Sequence, residues 1–123
     1  MDVRRVERGW AGHFICANRC RFRRNTLLEY NNIKIVVSTV GLMESIDGKN
    51  FDTVGCDRYF ETMAFHADYD DKRYYDMDVS RQISFDSEWC LNEIDADDKA
   101  NDMHERVVDE ISTHLKGGNQ YCA

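Results

Sequence analysis

Residues 19–40 read RCRFRRNTLLEYNNIKIVVSTV, which is two strand-like runs joined by a turn. In the first run, Arg19 to Glu29, the side chains alternate between two faces, as they do in a β-strand. Tyr30-Asn31-Asn32 is a turn signal, because asparagine tolerates positive φ. The β-branched run Ile33 to Val40 follows at once, and such residues favour a central strand. The pattern predicts a β-hairpin.

The same two-residue period predicts three further strands outside this hairpin. They are Gly9 to Cys16, Asp57 to Ala67 and Tyr74 to Phe85. The last alternates most cleanly, with an apolar face made by Tyr75, Met77, Val79, Ile83 and Phe85. A half-buried antiparallel strand explains this alternation, because only one of its faces meets the core.

The period becomes helical near residue 86. Asp86 or Ser87 can cap a short helix that runs through Trp89 and Leu91. A longer helix is predicted from about Asp95 to Lys116, where apolar residues recur every three or four positions, and Gly117-Gly118 ends it. The whole chain is predicted to be one α+β domain. An antiparallel sheet of four to six strands (about 9–85) precedes C-terminal helices (about 86–116) on one of its faces, and 117–123 form a tail.

Composition points to one domain in a reducing compartment. The chain has 123 residues, of which 42% are hydrophobic and 32% charged. Its apolar runs fall short of the roughly 20 residues of a membrane span, and its N-terminus lacks the apolar core of a secretory signal. Five cysteines at irregular spacing argue against a disulfide framework. We therefore expect a cytoplasmic protein that does not contact a membrane.

Positive charge is concentrated at the front of an acidic chain. Residues 1–34 carry a net charge of +5 and residues 35–123 a net charge of −12, which gives −7 for the chain. Sequence-independent nucleic-acid binding needs a broad basic surface, so it is not expected here. A local cluster of cations can still form a pocket for a small anion, because a local field can oppose the global sign.

The arginines of residues 19–24 are the strongest candidates for such a pocket. Arg19, Arg21 and Arg23 fall on one face of the predicted strand, and guanidinium groups bind phosphates through paired hydrogen bonds. The alternative is a charged edge that deters aggregation or pairs with acids of a neighbouring strand. Arg24 falls on the other face, among apolar residues, where it needs an internal carboxylate or a ligand as its partner.

Aromatic side chains at the predicted strand-to-helix junction form a second candidate site. Phe85 and Trp89 can stack on a base, and the amide of Asn92 can match the edge of adenine. The alternative places both aromatics in the core and makes Asn92 a cap. Arg106, on the long helix, can close the site from a second subunit.

No catalytic group or cofactor is assigned from the sequence. It contains no nucleophile elbow, Walker loop or GxGxxG motif. His13, Cys16 and Cys20 invite a zinc interpretation, but their spacing fits no standard knuckle, and His13 and Cys16 fall on opposite strand faces. We therefore expect a protein that is not an enzyme and holds no metal. A small metal-dependent enzyme built on His13 and His66 is the third hypothesis.

The run from Arg8 to Thr26, RGWAGHFICANRCRFRRNT, resembles small proteins of phages and prophage-bearing bacteria. The size of the chain, its strand-then-helix order and its reduced cysteines are similar to those of the phage sponges that antagonise the Thoeris system. That resemblance implies capture of cyclic ADP-ribose isomers without cleavage, by dimers or larger oligomers that hold the ligand near subunit contacts. Some members of the family also hold cyclic oligonucleotides.

The first hypothesis is therefore a phage counter-defence protein that sequesters a cyclic nucleotide-type immune signal in the cytoplasm of the infected host. It would be a homo-oligomer whose partner is a small phosphorylated nucleotide. The predicted ligand-binding residues are Arg21, Arg23, Arg24, Phe85, Trp89, Asn92 and Arg106. The alternative is an acidic inhibitor of a host nuclease, of the anti-CRISPR or anti-restriction type, whose carboxylates mimic nucleic acid. Its partner would be a host protein.

Overall fold

The computed structural model describes residues 2–9, 12–13 and 17–117. Within them, seven strands form one antiparallel sheet and one α-helix follows. The elements are β1 (Arg4–Glu7), β2 (Cys20–Tyr30), β3 (Ile33–Glu44), β4 (Phe51–Asp52), β5 (Phe60–Ala67), β6 (Met77–Ile83), β7 (Cys90–Leu91) and α1 (Asp97–Lys116). The sheet order is β1-β2-β3-β5-β6, with β4 beside β3 and β7 beside β5. The fold is α+β, as the periodicity predicts.

The predicted hairpin of β2 and β3 is confirmed. Tyr30 pairs with Ile33 across the turn, and Asn31 and Asn32 take positive φ values of 49° and 67°. Two such residues make the turn type whose twist matches that of the flanking strands. β3 lies between β2 and β5, and its residues are buried from Ile35 to Met43. It is therefore the central strand.

The main core lies between the sheet and α1. Leu28, Ile35 and Val37 of the sheet pack against Val107, Ile111 and Leu115 of the helix. Further along, Phe60 and Leu91 pack against Ala100 and Met103. Each fully buried Val, Leu, Ile, Phe or Met side chain among them contributes about 1.5–3 kcal/mol. Among the described residues, no helix is both long and apolar enough to cross a membrane.

The prediction of a short helix after Asp86 is wrong. The carbonyl of Trp89 accepts the N–H of Thr62 at 2.7 Å, and the carbonyl of Leu91 accepts the N–H of Tyr59 at 2.8 Å. This backbone therefore bonds to the edge of β5 and not to itself. The described residues contain one α-helix where the sequence predicted two helices, and it begins at Asp97, two residues later than predicted.

The strand predicted from Tyr74 to Phe85 is shorter in the structure, where it is β6 (Met77–Ile83), and its pairing with β5 is irregular. Ala64 pairs with Ile83 but Ala67 pairs with Met77, so the register shifts between these pairs. Extra residues in one strand form a bulge and turn side chains away from the expected face. Val79, expected on the apolar face, is 65% exposed for this reason.

Most of the strand predicted from Gly9 to Cys16 cannot be compared, since residues 10, 11 and 14–16 lie outside the described residues. The strands β1, β4 and β7 were not predicted. They contain two to four residues each, and so short a run carries no readable period.

Gly41 is the position where β3 admits no side chain. A Cβ there would lie 2.3 Å from a ring carbon of Phe60 and 2.8 Å from the carbonyl oxygen of Tyr59. We expect Gly41→Ala to lower the free energy of unfolding by about 1–3 kcal/mol, the usual cost of overpacking, as measured by urea unfolding. Gly9→Ala, whose Cβ would have one neighbour among the described residues, at 3.9 Å, is the control and should change the free energy of unfolding by less than about 0.5 kcal/mol. Equal losses in the two variants would contradict this.

Candidate functional site

A cavity of about 300 Å³ opens at a gap in the edge of the sheet. β5 pairs with β6 at Ala64 and beyond, and with β7 at Phe60 and Glu61. Residues 84–89, here called the arch, cross the gap between those two strands. The walls include Phe85 and Trp89 of the arch, Glu61 and Thr62 of β5, Gln82 of β6 and Arg58. We call this the aromatic cavity.

A cation and an aromatic ring face each other in this cavity. The guanidinium carbon of Arg58 lies 4.7 Å from the centroid of the Trp89 ring, which is within cation–π range. Trp89 is 43% exposed, so part of its ring remains open to a ligand. Phe85 packs partly against the helix-side core. The arrangement offers a planar ligand a stacking surface beside a positive charge.

Glu61 supplies a buried carboxylate to the same cavity. Its two oxygens accept hydrogen bonds from Nε2 of His13 (2.8 Å) and from Nε of Arg58 (2.6 Å). Burial raises the pKa of Glu61, but these two hydrogen bonds outweigh it and hold that pKa below its usual value. His13 is held in turn by Ser38, whose hydroxyl lies 2.9 Å from Nδ1. Glu61 is therefore ionised at neutral pH and fixed in position.

A second chain of hydrogen bonds runs from the cavity wall through the core. The hydroxyls of Thr62 and Thr39 lie 2.6 Å apart, and that of Thr39 lies 2.7 Å from Nδ1 of His104. Nε2 of His104 lies 2.7 Å from the hydroxyl of Thr26, which donates to Glu7 at 2.9 Å. His104 is fully buried. Burial and then the nearby charge of Arg24 lower its pKa to about 3.

The direction of this chain follows from Glu7, whose carboxylate only accepts. The hydroxyl proton of Thr26 goes to Glu7, so the oxygen of Thr26 must accept the proton on Nε2 of His104. Nδ1 of the neutral ring is then an acceptor, and Thr39 donates to it. Because the hydroxyl proton of Thr39 goes to His104, the oxygen of Thr39 must accept the hydroxyl proton of Thr62. Every donor points the same way, from the cavity wall to the surface at Glu7.

Glu110 of α1 holds the arch in place. Its carboxylate accepts the backbone N–H groups of Asp86 (2.7 Å) and Ser87 (2.8 Å) and the hydroxyl of Ser87 (2.6 Å). Burial raises the pKa of Glu110, but these hydrogen bonds bring it below its usual value. The helix thus fixes the loop that carries both aromatic side chains of the cavity.

The structure brings together only some of the predicted ligand-binding residues. Phe85 and Trp89 share the aromatic cavity. Asn92 is exposed and directly follows β7, away from that cavity's lining. Arg106 is exposed on α1 and lines a recess of about 330 Å³ with Lys99 and Asp102.

Arg21 and Arg23 meet in a separate recess of about 660 Å³, which Arg19 and Glu44 also line. None of the described residues lines both this arginine recess and the aromatic cavity. Glu44 offsets part of the positive charge. Its backbone carbonyl accepts Nε of Arg19 at 3.0 Å, and its carboxylate lies 3.6 Å from Nε of Arg21. The phosphate role of Arg21 and Arg23 stays a prediction.

Arg24 lies on the other side of the sheet from this recess. Its guanidinium lies 3.1 Å from the carboxylate of Glu7 and 2.9 Å from that of Glu105 on α1. The expected partner is therefore an internal carboxylate, and Arg24 joins β2 to β1 and to the helix. Arg23 and Arg24 are successive residues of β2, and successive side chains of a strand point to opposite faces. The ligand-binding role of Arg24 stays a prediction.

Comparisons with protein-family models, with curated proteins and with solved structures find no match. The site therefore has to be interpreted from its own geometry. Within the described ranges, no group of three or more His, Cys, Asp or Glu side chains is placed to hold a metal ion.

Three residues were not identified from the sequence: Arg58 and Glu61, which line the aromatic cavity, and Glu110, which holds the arch. Glu61 could have been identified, since a single acid between Phe60 and Thr62 in a predicted strand needs a partner if it is buried. No feature of the sequence identifies Arg58 or Glu110. Their partners are fixed only when β5, the arch and α1 meet, and no local pattern encodes that.

Glu110→Gln should loosen the arch, because it removes the charge that strengthens three hydrogen bonds. We expect amide hydrogen exchange at Asp86 and Ser87 to rise about tenfold or more, measured at neutral pH. Since the pKa of Glu110 is lowered, its carboxylate stays ionised at neutral pH and holds the arch. These hydrogen bonds weaken when the pH falls below that lowered pKa and the carboxylate becomes protonated. Asp109→Asn, an exposed neighbour with the same charge change, is the control. Unchanged exchange in Glu110→Gln would show that the arch does not depend on this carboxylate.

The buried neutral His104 should make stability depend on pH. The unfolded chain protonates this histidine near its ordinary value of 6.5, while the folded chain resists until about 3. Stability is therefore retained above about pH 6.5 and falls as the pH drops, by up to about 1.4 kcal/mol per pH unit. Urea unfolding between about pH 6.5 and pH 5, above the range of the carboxylates, measures this slope together with that of His66, whose pKa burial also lowers. His104→Asn should have a shallower slope, and an equal slope would contradict the assignment.

Proposed function

We propose that the protein is a binding protein for a small phosphorylated nucleotide and that the aromatic cavity holds its base. The observation that carries this proposal is the meeting of Phe85, Trp89 and Arg58 around one cavity of about 300 Å³. That volume lies at the lower end of the range for small-molecule sites. Stacking of a base on an aromatic side chain contributes about 1–3 kcal/mol.

Arg58 is the cation that the cavity offers to a phosphorylated ligand. Its Nε is occupied by Glu61, and the guanidinium lies flat against Gly55, where a Cβ would come within 2.6 Å of Nη2. A glycine at this position gives the guanidinium room beside the Trp89 ring. Glu61 offsets part of this positive charge, so an anionic ligand would be favoured over its neutral nucleoside through the remaining N–H groups of the guanidinium.

The resemblance to the Thoeris sponges adds a biological role to the proposal. The ligand would be a cyclic nucleotide-type immune signal, and the protein would sequester it without cleavage in the cytoplasm of an infected bacterium. Binding alone suffices for that role, provided that the site is pre-organised. The Glu110 anchor and the fixed Glu61 support such pre-organisation. In a homo-oligomer, the arginine recess or Arg106 of another subunit would contact the phosphates.

The alternative, an acidic inhibitor that mimics nucleic acid, has less structural support. Several of its carboxylates hold their own turns together. Asp71 accepts the N–H groups of Tyr74 (3.2 Å) and Asp76 (3.4 Å), and Asp68 accepts that of Asp70 (3.0 Å). Asp78 likewise bonds to Ser80. These contacts give the acids a local structural role.

Calorimetric titration and thermal shift with cyclic ADP-ribose isomers, cyclic di- and trinucleotides and linear nucleotides test the proposal. A ligand at a hundredfold excess over its Kd stabilises the protein by about 2.7 kcal/mol. Trp89→Ala should weaken binding about tenfold or more, because it removes the stacking surface. The ligand should be recovered intact after heating. If none of these nucleotides binds, the proposed function is wrong.

Arg21→Ala combined with Arg23→Ala is the control for loss of charge outside the aromatic cavity. Affinity within about twofold of the unmodified chain would confine the ligand to the cavity. A loss equal to that of Trp89→Ala would show that one ligand reaches both places, as it could across a subunit contact.

A further inference from the structure

The wall of the aromatic cavity contains one fixed, ionised carboxylate. Glu61 is 6% exposed, and each of its oxygens already accepts one hydrogen bond. A carboxylate has about four lone-pair sites, so about two remain for a ligand. His13 and Arg58 prevent the side chain from turning away.

This carboxylate restricts which part of a nucleotide can lie beside it. A phosphate oxygen would meet a like charge in a partly buried setting, where repulsion is strong. A hydrogen-bond acceptor would face lone pairs with no proton between them. The group next to Glu61 must therefore be a donor, while the phosphates lie towards Arg58 or the open side of the cavity.

The edges of the bases differ in this respect. Guanine carries two adjacent donors, N1–H and the N2 amino group, which match the two oxygens of a carboxylate. Adenine and cytosine place a donor amino group next to a ring-nitrogen acceptor, so one of the two contacts is repulsive. Gln82, in the same cavity, has an amide N–H that can donate to O6 of guanine.

We propose that the aromatic cavity selects a guanine-type base, with Glu61 as the residue that determines this specificity. The base stacks on Trp89, and its N1–H and N2–H groups donate to the carboxylate. This inference rests on the proposed nucleotide-binding function and deepens it. It also assigns a role to the His13–Glu61–Arg58 chain, which orients the carboxylate.

The test is calorimetric titration of the unmodified full chain with GMP, IMP and AMP. IMP keeps the ring and N1–H but lacks the N2 amino group, so the comparison changes the ligand and leaves the fold intact. A hydrogen bond to a charged group has a large effect, and GMP should bind at least about tenfold more tightly than IMP. AMP should bind more weakly than either.

The outcomes separate the two proposals. If AMP binds as tightly as GMP, or IMP does, the guanine inference is overturned while nucleotide binding stands. If cyclic nucleotides bind but show no dependence on the base, the inference is overturned as well. If no nucleotide binds at all, the proposed function fails and the inference fails with it.

Glu61→Gln gives an independent measurement. It should reduce the ratio of GMP to IMP affinity to within about threefold, because a neutral amide offers one acceptor oxygen in place of two. Glu88→Gln, an exposed acid of the arch that does not line the cavity, is the matched control and should keep the ratio. If Glu61→Gln folds and keeps the full ratio, Glu61 does not determine specificity. If it does not fold, the GMP–IMP–AMP series on the unmodified chain decides.

Discussion

The position of α1 on the sheet depends on one buried histidine. His104 is hydrogen-bonded to Thr26 of β2 and Thr39 of β3, so the helix is fixed against two strands by directional contacts as well as by apolar packing. Apolar surfaces alone tolerate small slides, whereas a satisfied buried network has one geometry. Because Glu110 lies on the same helix, the place of His104 also sets the place of the arch and of the aromatic cavity.

The centre of β3 serves two polar networks, one on each face. Thr39 points to His104 on the helix side, and Ser38 points to His13 on the other side. A slip of one residue in the pairing of β3 would exchange these faces. Both histidines would then lose their partners in the interior, which is a large penalty. The two neighbouring hydroxyls therefore specify the register of the sheet.

The parts of the fold that follow from local chemistry could be predicted from the sequence. Asn31 and Asn32 set the hairpin turn, and periodic apolar residues set α1. The need of Arg24 for a carboxylate or a ligand as partner could also be predicted, since a charge among apolar residues requires one. The aromatic cavity could not be predicted in the same way. Glu61 and His13 are 48 residues apart in the sequence. The apolar spacing through Trp89 and Leu91 predicts a helix, but the backbone of both residues bonds to the chain at β5 instead.

The ion pair between Arg5 and Glu105 joins residues 100 positions apart in the sequence. β1 and α1 therefore complete the same side of the sheet from distant parts of the chain. Most of the core on that side has no cover until α1 has been synthesised, so a growing chain exposes the apolar face of β2, β3 and β5 to solvent. Contacts of such long range slow folding, and the exposed interval is when the chain is most open to aggregation or to chaperones.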